Sequence, residues 1–169
     1  MKTQIRVQMT ENALFDFMLY HAYSGLAGFL CNIFGLGMLI LGALRLATHT
    51  STAFQIVSYF VVGAVILTVT PLLLRLRART LVRKMKIYSE PIDYFFSDGG
   101  MEICQGETKR EIKWEQVDRV VATPKTISYY YNKTDAAVIP KEAFGGRFAA
   151  VMGTVCRYVP AGKIRVPVR

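Results

Sequence analysis

Ala22–Leu44 reads AYSGLAGFLCNIFGLGMLILGAL, 23 residues without one Asp, Glu, Lys or Arg. At 1.5 Å rise per residue a helix of that length is about 34 Å long, enough for a hydrocarbon core of about 30 Å. A second uncharged run, Ala53–Leu74 (AFQIVSYFVVGAVILTVTPLLL), has 22 residues. Two such runs predict a transmembrane helical hairpin. A secretory signal peptide would need a shorter apolar stretch nearer the N-terminus, followed by a small-residue cleavage site. The core helices of a soluble protein rarely carry so long an uncharged run twice.

Outward from the hairpin, the flanks set its direction. The connecting stretch, Arg45 to Thr52, holds one Arg and His49, whereas Arg75, Arg77, Arg79, Arg83, Lys84 and Lys86 follow the second run with no acid among them. Cytoplasmic flanks carry the Lys/Arg excess, so both termini are expected in the cytoplasm. If the second helix continues past the bilayer, Arg75, Arg79, Arg83 and Lys86 share one face, beside Leu74, Ala78, Leu81 and Met85. That face would suit anionic lipid headgroups, at about 1 kcal/mol per near-surface charge. The net charge of +9 does not imply a nucleic-acid partner, because the excess lies against an apolar run and residues 87–169 carry twelve Lys or Arg against ten Asp or Glu.

Within the runs, polar residues are few: Asn32, Gln55, Thr68 and Thr70. Uncharged polar groups at depth usually join helices, and the absence of acids and bases there disfavours an ion pathway. Ser24, Gly28, Asn32 and Gly35 form a small-residue stripe on the first helix, and an antiparallel hairpin puts Thr68 within one turn of Asn32. The stripe therefore predicts either packing within the hairpin, with an Asn32–Thr68 bond, or homodimerisation.

The remainder reads as a small soluble domain. TQIRVQM alternates, with Ile5, Val7 and Met9 on one face, which predicts a half-buried strand. Thr10 is placed to cap a helix whose apolar stripe is Leu14, Phe15, Met18, Leu19 and Tyr23, expected as an interfacial helix. Because two spans return the chain to its starting side, the first strand can join the later sheet. After Lys86 come short strands: IDYFFS and MEICQ around the turn Asp98–Gly100, then REIKW, DRVVAT, TISYYY and AAVIP. Pro140 and Glu142 open a last helix with Phe144, Phe148, Val151, Met152 and Val155 on one face, weakened at Gly145 and Gly146. The organisation expected is residues 1–21 as strand and interfacial helix, 22–86 as the hairpin with its basic continuation, 87–158 as a β domain, and 159–169 as a basic, mobile tail. The fold class is an α+β membrane protein.

YFFSDGGMEI, IKWEQVDRVVATPKTISYYY and AAVIPKEAF, following two spans and a basic continuation, resemble the YcxB-like family of bacterial membrane proteins. The chief points are Trp114 opening a W-x-x-V step, and Ile139-Pro140-Lys141 with Phe144 entering the last helix. Gly145-Gly146 departs from that pattern. The resemblance covers nearly the whole chain before the tail. It implies a bacterial inner-membrane protein whose cytoplasmic domain is a small antiparallel, pleckstrin-homology-like β structure, and it implies no settled activity.

No GxSxG, P-loop, HExxH or GxGxxG motif occurs. Cys31, Cys104 and Cys156 are widely spaced, with no CxxC or Cys/His cluster, so neither a disulfide framework nor a metal site is indicated. His21 and His49 fall at opposite ends of the first span, which leaves Cys104 without a base in its own domain. No catalytic residue, metal or cofactor is expected. Glu102, Glu107, Glu111, Glu115 and Asp118 alternate with Lys109, Arg110, Lys113 and Arg119 as solvated strand faces do. Tyr129, Tyr130 and Tyr131 read as core and rim packing, or as a surface for a partner. The expected role is a membrane-anchored interaction module that docks a protein partner at an exposed sheet edge or at the tyrosine strand. Anionic-lipid sensing through the basic helix is the alternative.

Overall fold

A computed structural model of the chain describes residues 2–85, 88, 90–132 and 135–166. Two compact units result: Met1–Phe17 together with Ala78–Arg169, and Met18–Arg77. The divisions fall four residues before and nine residues before the boundaries read from sequence at 21/22 and 86/87. Helix α1 (Glu11–Tyr23) starts in the first unit, and its opening turn is held by the Thr10 hydroxyl, which accepts the Ala13 N–H at 3.2 Å as a cap should.

The second unit is built on α2 (Leu26–Ala47) and the apolar part of α3 (Ala53–Lys84), both long and apolar enough to cross a membrane. Of the 22 residues of α2 only Gly35 and Gly42 are buried. Glycine is what lets the two backbones approach. A Cβ on Gly35 would lie 2.6 Å from Leu67 Cγ, and one on Gly63 would lie 2.9 Å from the Gly35 carbonyl oxygen. At the connection His49 takes the left-handed backbone conformation with φ 52°. Gln55, near the outer end of the second run, makes a capping box with Thr52: each side chain receives the other's backbone N–H, at 3.2 and 3.4 Å. The basic run belongs to α3, which continues to Lys84, so the condition for its cations to share a helical face is met as far as Arg83.

The first unit contains two four-stranded sheets. One is the antiparallel meander β1 (Thr3–Val7), β2 (Ile92–Ser97), β3 (Gly100–Gln105) and β4 (Thr108–Lys113), in that spatial order. The N-terminal strand thus pairs with the later sheet as expected, Ile5 opposite Tyr94, with Ile5 and Val7 fully buried. The other sheet has the order β7 (Ala136–Pro140), β6 (Thr126–Tyr130), β5 (Arg119–Ala122) and β8 (Ile164–Arg165). Segment 159–166, read as a mobile tail, is a correction: it makes a turn at Ala161–Lys163 and then pairs β8 parallel with β5, Val120 opposite Ile164. Alternation along the strands sends Phe96, Met101, Ile112, Val120, Ile127 and Ile139 into one core between the sheets.

Trp114, in the turn Trp114–Gln116, anchors that core. Its ring stacks between Phe96 and Tyr158, at centroid distances of 6.3 and 6.4 Å, while its N–H donates to the Ser97 carbonyl at 2.9 Å. The last helix is broken where Gly145 adopts φ 49°: α4 (Lys141–Phe144) ends there and α5 (Phe148–Tyr158) begins after a tight turn. The break shifts the helical phase, so Phe144, Val151 and Val155 reach the core whereas Phe148, expected beside them, is 39% exposed.

β6 is buried along its whole length, on both faces. Its second face is covered by the start of α1, where Ala13 and Leu14 are buried and the Phe17 ring lies 6.3 Å from that of Tyr130. Asp16 fastens the helix down, accepting hydrogen bonds from the Thr123 hydroxyl and from the Lys125 N–H, the latter at 3.0 Å. In this unit α1 is a sheet cover.

Candidate functional site

The residues singled out from sequence fall in different places. Tyr129 and Tyr130 are fully buried, on opposite faces of β6, which corrects their reading as a partner surface. Tyr129 faces the core beside Phe96, and its hydroxyl approaches Met152 Sδ at 4.0 Å. Tyr130 is covered by Phe17 and by the Arg119 guanidinium, 4.3 Å above its ring. Tyr131 alone is half-buried.

The basic face is partly occupied. Arg83 donates to Glu11 at 2.8 Å, and Arg79 lies 3.9 Å from the same carboxylate, so two of the four cations expected to meet lipid headgroups pair with one acid at the start of α1. Arg75 is exposed, and Lys86 lies outside the described residues. The small-residue stripe divides. Ser24 donates to the His21 carbonyl and Gly28 sits against Ala22 and Tyr23, at the bend between α1 and α2, while Gly35 meets α3. Thr68 donates to the Ala64 carbonyl of its own helix at 2.7 Å. No Asn32–Thr68 hydrogen bond occurs among the described residues. Cys104 points its thiol toward Glu102 Oε1 at 3.7 Å, and both histidines lie in the other unit.

The feature of the β unit with the form of a binding site lies along β4. The two-residue turn Gly106-Glu107 closes the β3–β4 hairpin on the pair Gln105–Thr108. Hydrogen bonding to β3 therefore alternates through Thr108, Arg110 and Ile112, and the amides of Lys109, Glu111 and Lys113 turn away from the sheet. The Lys113 N–H is taken by Gln116 Oε1 at 3.0 Å. Those of Lys109 and Glu111 have no backbone partner among the described residues. β1, the opposite edge of this sheet, is instead stopped by Arg147, whose guanidinium donates to the Gln4 carbonyl.

Side chains alternate the other way. Lys109 and Glu111 belong to the outer face, where Glu102 pairs with Lys109 and, at 2.9 Å, with Lys2. Arg110 belongs to the inner face, opposite Ile103. Its Nη1 donates to the Tyr131 hydroxyl at 3.3 Å, with the guanidinium 4.8 Å from that ring's centroid. The pair stands between two hollows. One, about 380 Å³, runs beside the β4 edge along Glu111, Ile112, Gln116 and Asn132. The other, about 320 Å³, lies between the sheets against Tyr94, Ile103, Ala137 and Val138, with Leu14 and Phe17 of α1 over it.

Burial, and secondarily the proximity of Tyr131, push the Tyr94 phenol well above its ordinary range. Burial and then Cys156 do the same to Tyr129. Both phenols stay neutral at physiological pH, and Tyr94 is among the residues lining the inner hollow. Among the described residues no group of three or more His, Cys, Asp or Glu is placed to hold a metal ion. Arg110 was missed in the sequence because it stands in a mixed-charge run, KREIK, that reads as solvated on both faces. The available signal was its place in the alternation, two residues before Ile112.

The chain is therefore an α+β protein with two long apolar helices, antiparallel sheets and a cleft at one sheet edge. Residues 96–151 match the family model described as YcxB-like protein, over a segment from the end of β2 into α5. That segment includes Trp114, the β4 edge and the broken last helix, and it bears out the likeness to YcxB-like proteins read from the sequence. Neither the curated proteins nor the solved structures include a match to the chain.

Proposed function

We propose that this protein is a membrane-anchored interaction module, in which α2 and the apolar part of α3 span the inner membrane of a bacterium and the β unit captures an extended segment of a protein partner on the cytoplasmic side. The observation that carries the reading is the free β4 edge: two outward amides, at Lys109 and Glu111, beside a hollow of about 380 Å³ lined by Glu111, Ile112 and Gln116. The anchor is supported by the uncharged runs within these helices, where most side chains face outward, and by the six cations that follow Leu74. A four-stranded meander followed by a three-stranded one and a closing helix supports the pleckstrin-homology-like description. Headgroup sensing is the lesser reading, because Arg79 and Arg83 already share Glu11.

A photo-crosslinking residue at position 109 tests the proposal in cells. A single discrete protein adduct is expected, and it should vanish in Glu111→Pro, which removes one outward N–H without breaking the ladder to β3. An adduct unchanged by Glu111→Pro would overturn the edge as the docking element.

A further inference from the structure

We propose that the cavity behind the Arg110–Tyr131 pair is a site for a small anionic amphiphile, an alkyl chain ending in a single carboxylate. The inference does not rest on a protein partner at β4: that would use outward backbone amides, whereas this site uses inner-face side chains.

The cavity has about 320 Å³, near the lower end of ligand pockets, and its wall is mainly apolar. Ile92, Ile103 and Val138 line it from the sheets, and Leu14 and Phe17 from α1. An alkyl chain of modest length fits such a wall, and a polar metabolite would leave its own groups unpaired there. The head is specified by charge. Arg110 is the one Lys or Arg that lines the cavity among the described residues, and its described polar partner is the neutral Tyr131 hydroxyl. No ion pair to Arg110 occurs among the described residues. A guanidinium with its fork open matches a carboxylate through two parallel hydrogen bonds, while the ring of Tyr131 holds it in place by stacking.

Tyr94 also lines the cavity, and Gln105 and Thr108 line it on the side of the β3–β4 turn. A polyphosphate or nucleotide would call for several cations, and the cavity offers one.

The test uses the full chain in discs of zwitterionic lipid, titrated calorimetrically with octanoate, octanol and octyltrimethylammonium, with empty discs as the blank. The expected result is saturable uptake of one octanoate per chain, octanol weaker by about tenfold, and the cation not bound. Arg110→Leu should bring octanoate down to the affinity of octanol. Thr108→Glu, an exposed position, should weaken octanoate and leave octanol unchanged. Octanoate uptake equal to that of empty discs, or octanoate affinity unchanged in Arg110→Leu, would overturn the site. Because both substitutions are at exposed residues, loss of fold is not the expected consequence, and the crosslink from position 109 reports separately on the partner reading.

Discussion

α2 and β6 use apolar residues in opposite ways. In α2 two glycines are the buried residues, and Phe29, Phe34, Ile40 and Leu41 are between 46% and 64% exposed. In β6 all five residues are buried, three of them polar or phenolic beside Thr126: Ser128, Tyr129 and Tyr130. In water, apolar surface left exposed costs about 25 cal/mol per Å², the cost α2 carries along most of its length, whereas β6 buries even the Ser128 hydroxyl, which has no hydrogen-bond partner among the described residues. The contrast teaches that the two regions are fitted to different surroundings. The helices gain from close backbone approach, and the β unit gains from a core.

The largest break in this comparison is expected in that core. Phe96, fully buried between Trp114 and Tyr129, should cost about 3–5 kcal/mol when replaced by alanine, measured as the urea unfolding of the β unit in the full chain. The corresponding change in the helical unit is addition of volume. Gly63→Leu places a side chain against Leu39 and the Gly35 carbonyl and should weaken α2–α3 association by about 1–3 kcal/mol, read in a helix-association assay, with the β unit's unfolding unchanged. The smallest effect concerns the cover over β6. Asp16→Ala removes two accepted hydrogen bonds and should cost about 1 kcal/mol, seen as faster amide exchange across residues 11–17 while β2 and β3 keep their protection.

Much of this was legible in the residues. Uncharged length gives α2 and α3, alternation gives β1, and the turn read at Asp98–Gly100 gives the β2–β3 hairpin, although Gly100 itself belongs to β3, opposite Ser97. What escaped depends on which surfaces meet. Tyr130 looked available because a lone antiparallel strand has one wet face, and only the covering by α1 makes β6 buried on both. A hint was present: TISYY has no charged residue, as doubly buried strands usually have none. Gly63 and Gly42 escaped because the phase of one helix against another is not fixed by either sequence alone. The inner-face Arg110 escaped for the reason that makes it interesting, since it puts a charge where the pattern asks for an apolar residue. β8, at two residues, is too short for periodicity to reveal.

An anchor in the bilayer with the β unit in the cytoplasm makes the two ends of the hairpin differ in cysteine accessibility. In a background with Cys31, Cys104 and Cys156 replaced by serine or alanine, single cysteines at Thr50, in the α2–α3 connection, and at Lys109, on β4, would be exposed to a membrane-impermeant maleimide. The chain is expected in the membrane fraction, labelled at position 50 in intact spheroplasts and at position 109 only after permeabilisation. Labelling at position 109 in sealed spheroplasts, or recovery of the chain in the soluble fraction, would contradict it.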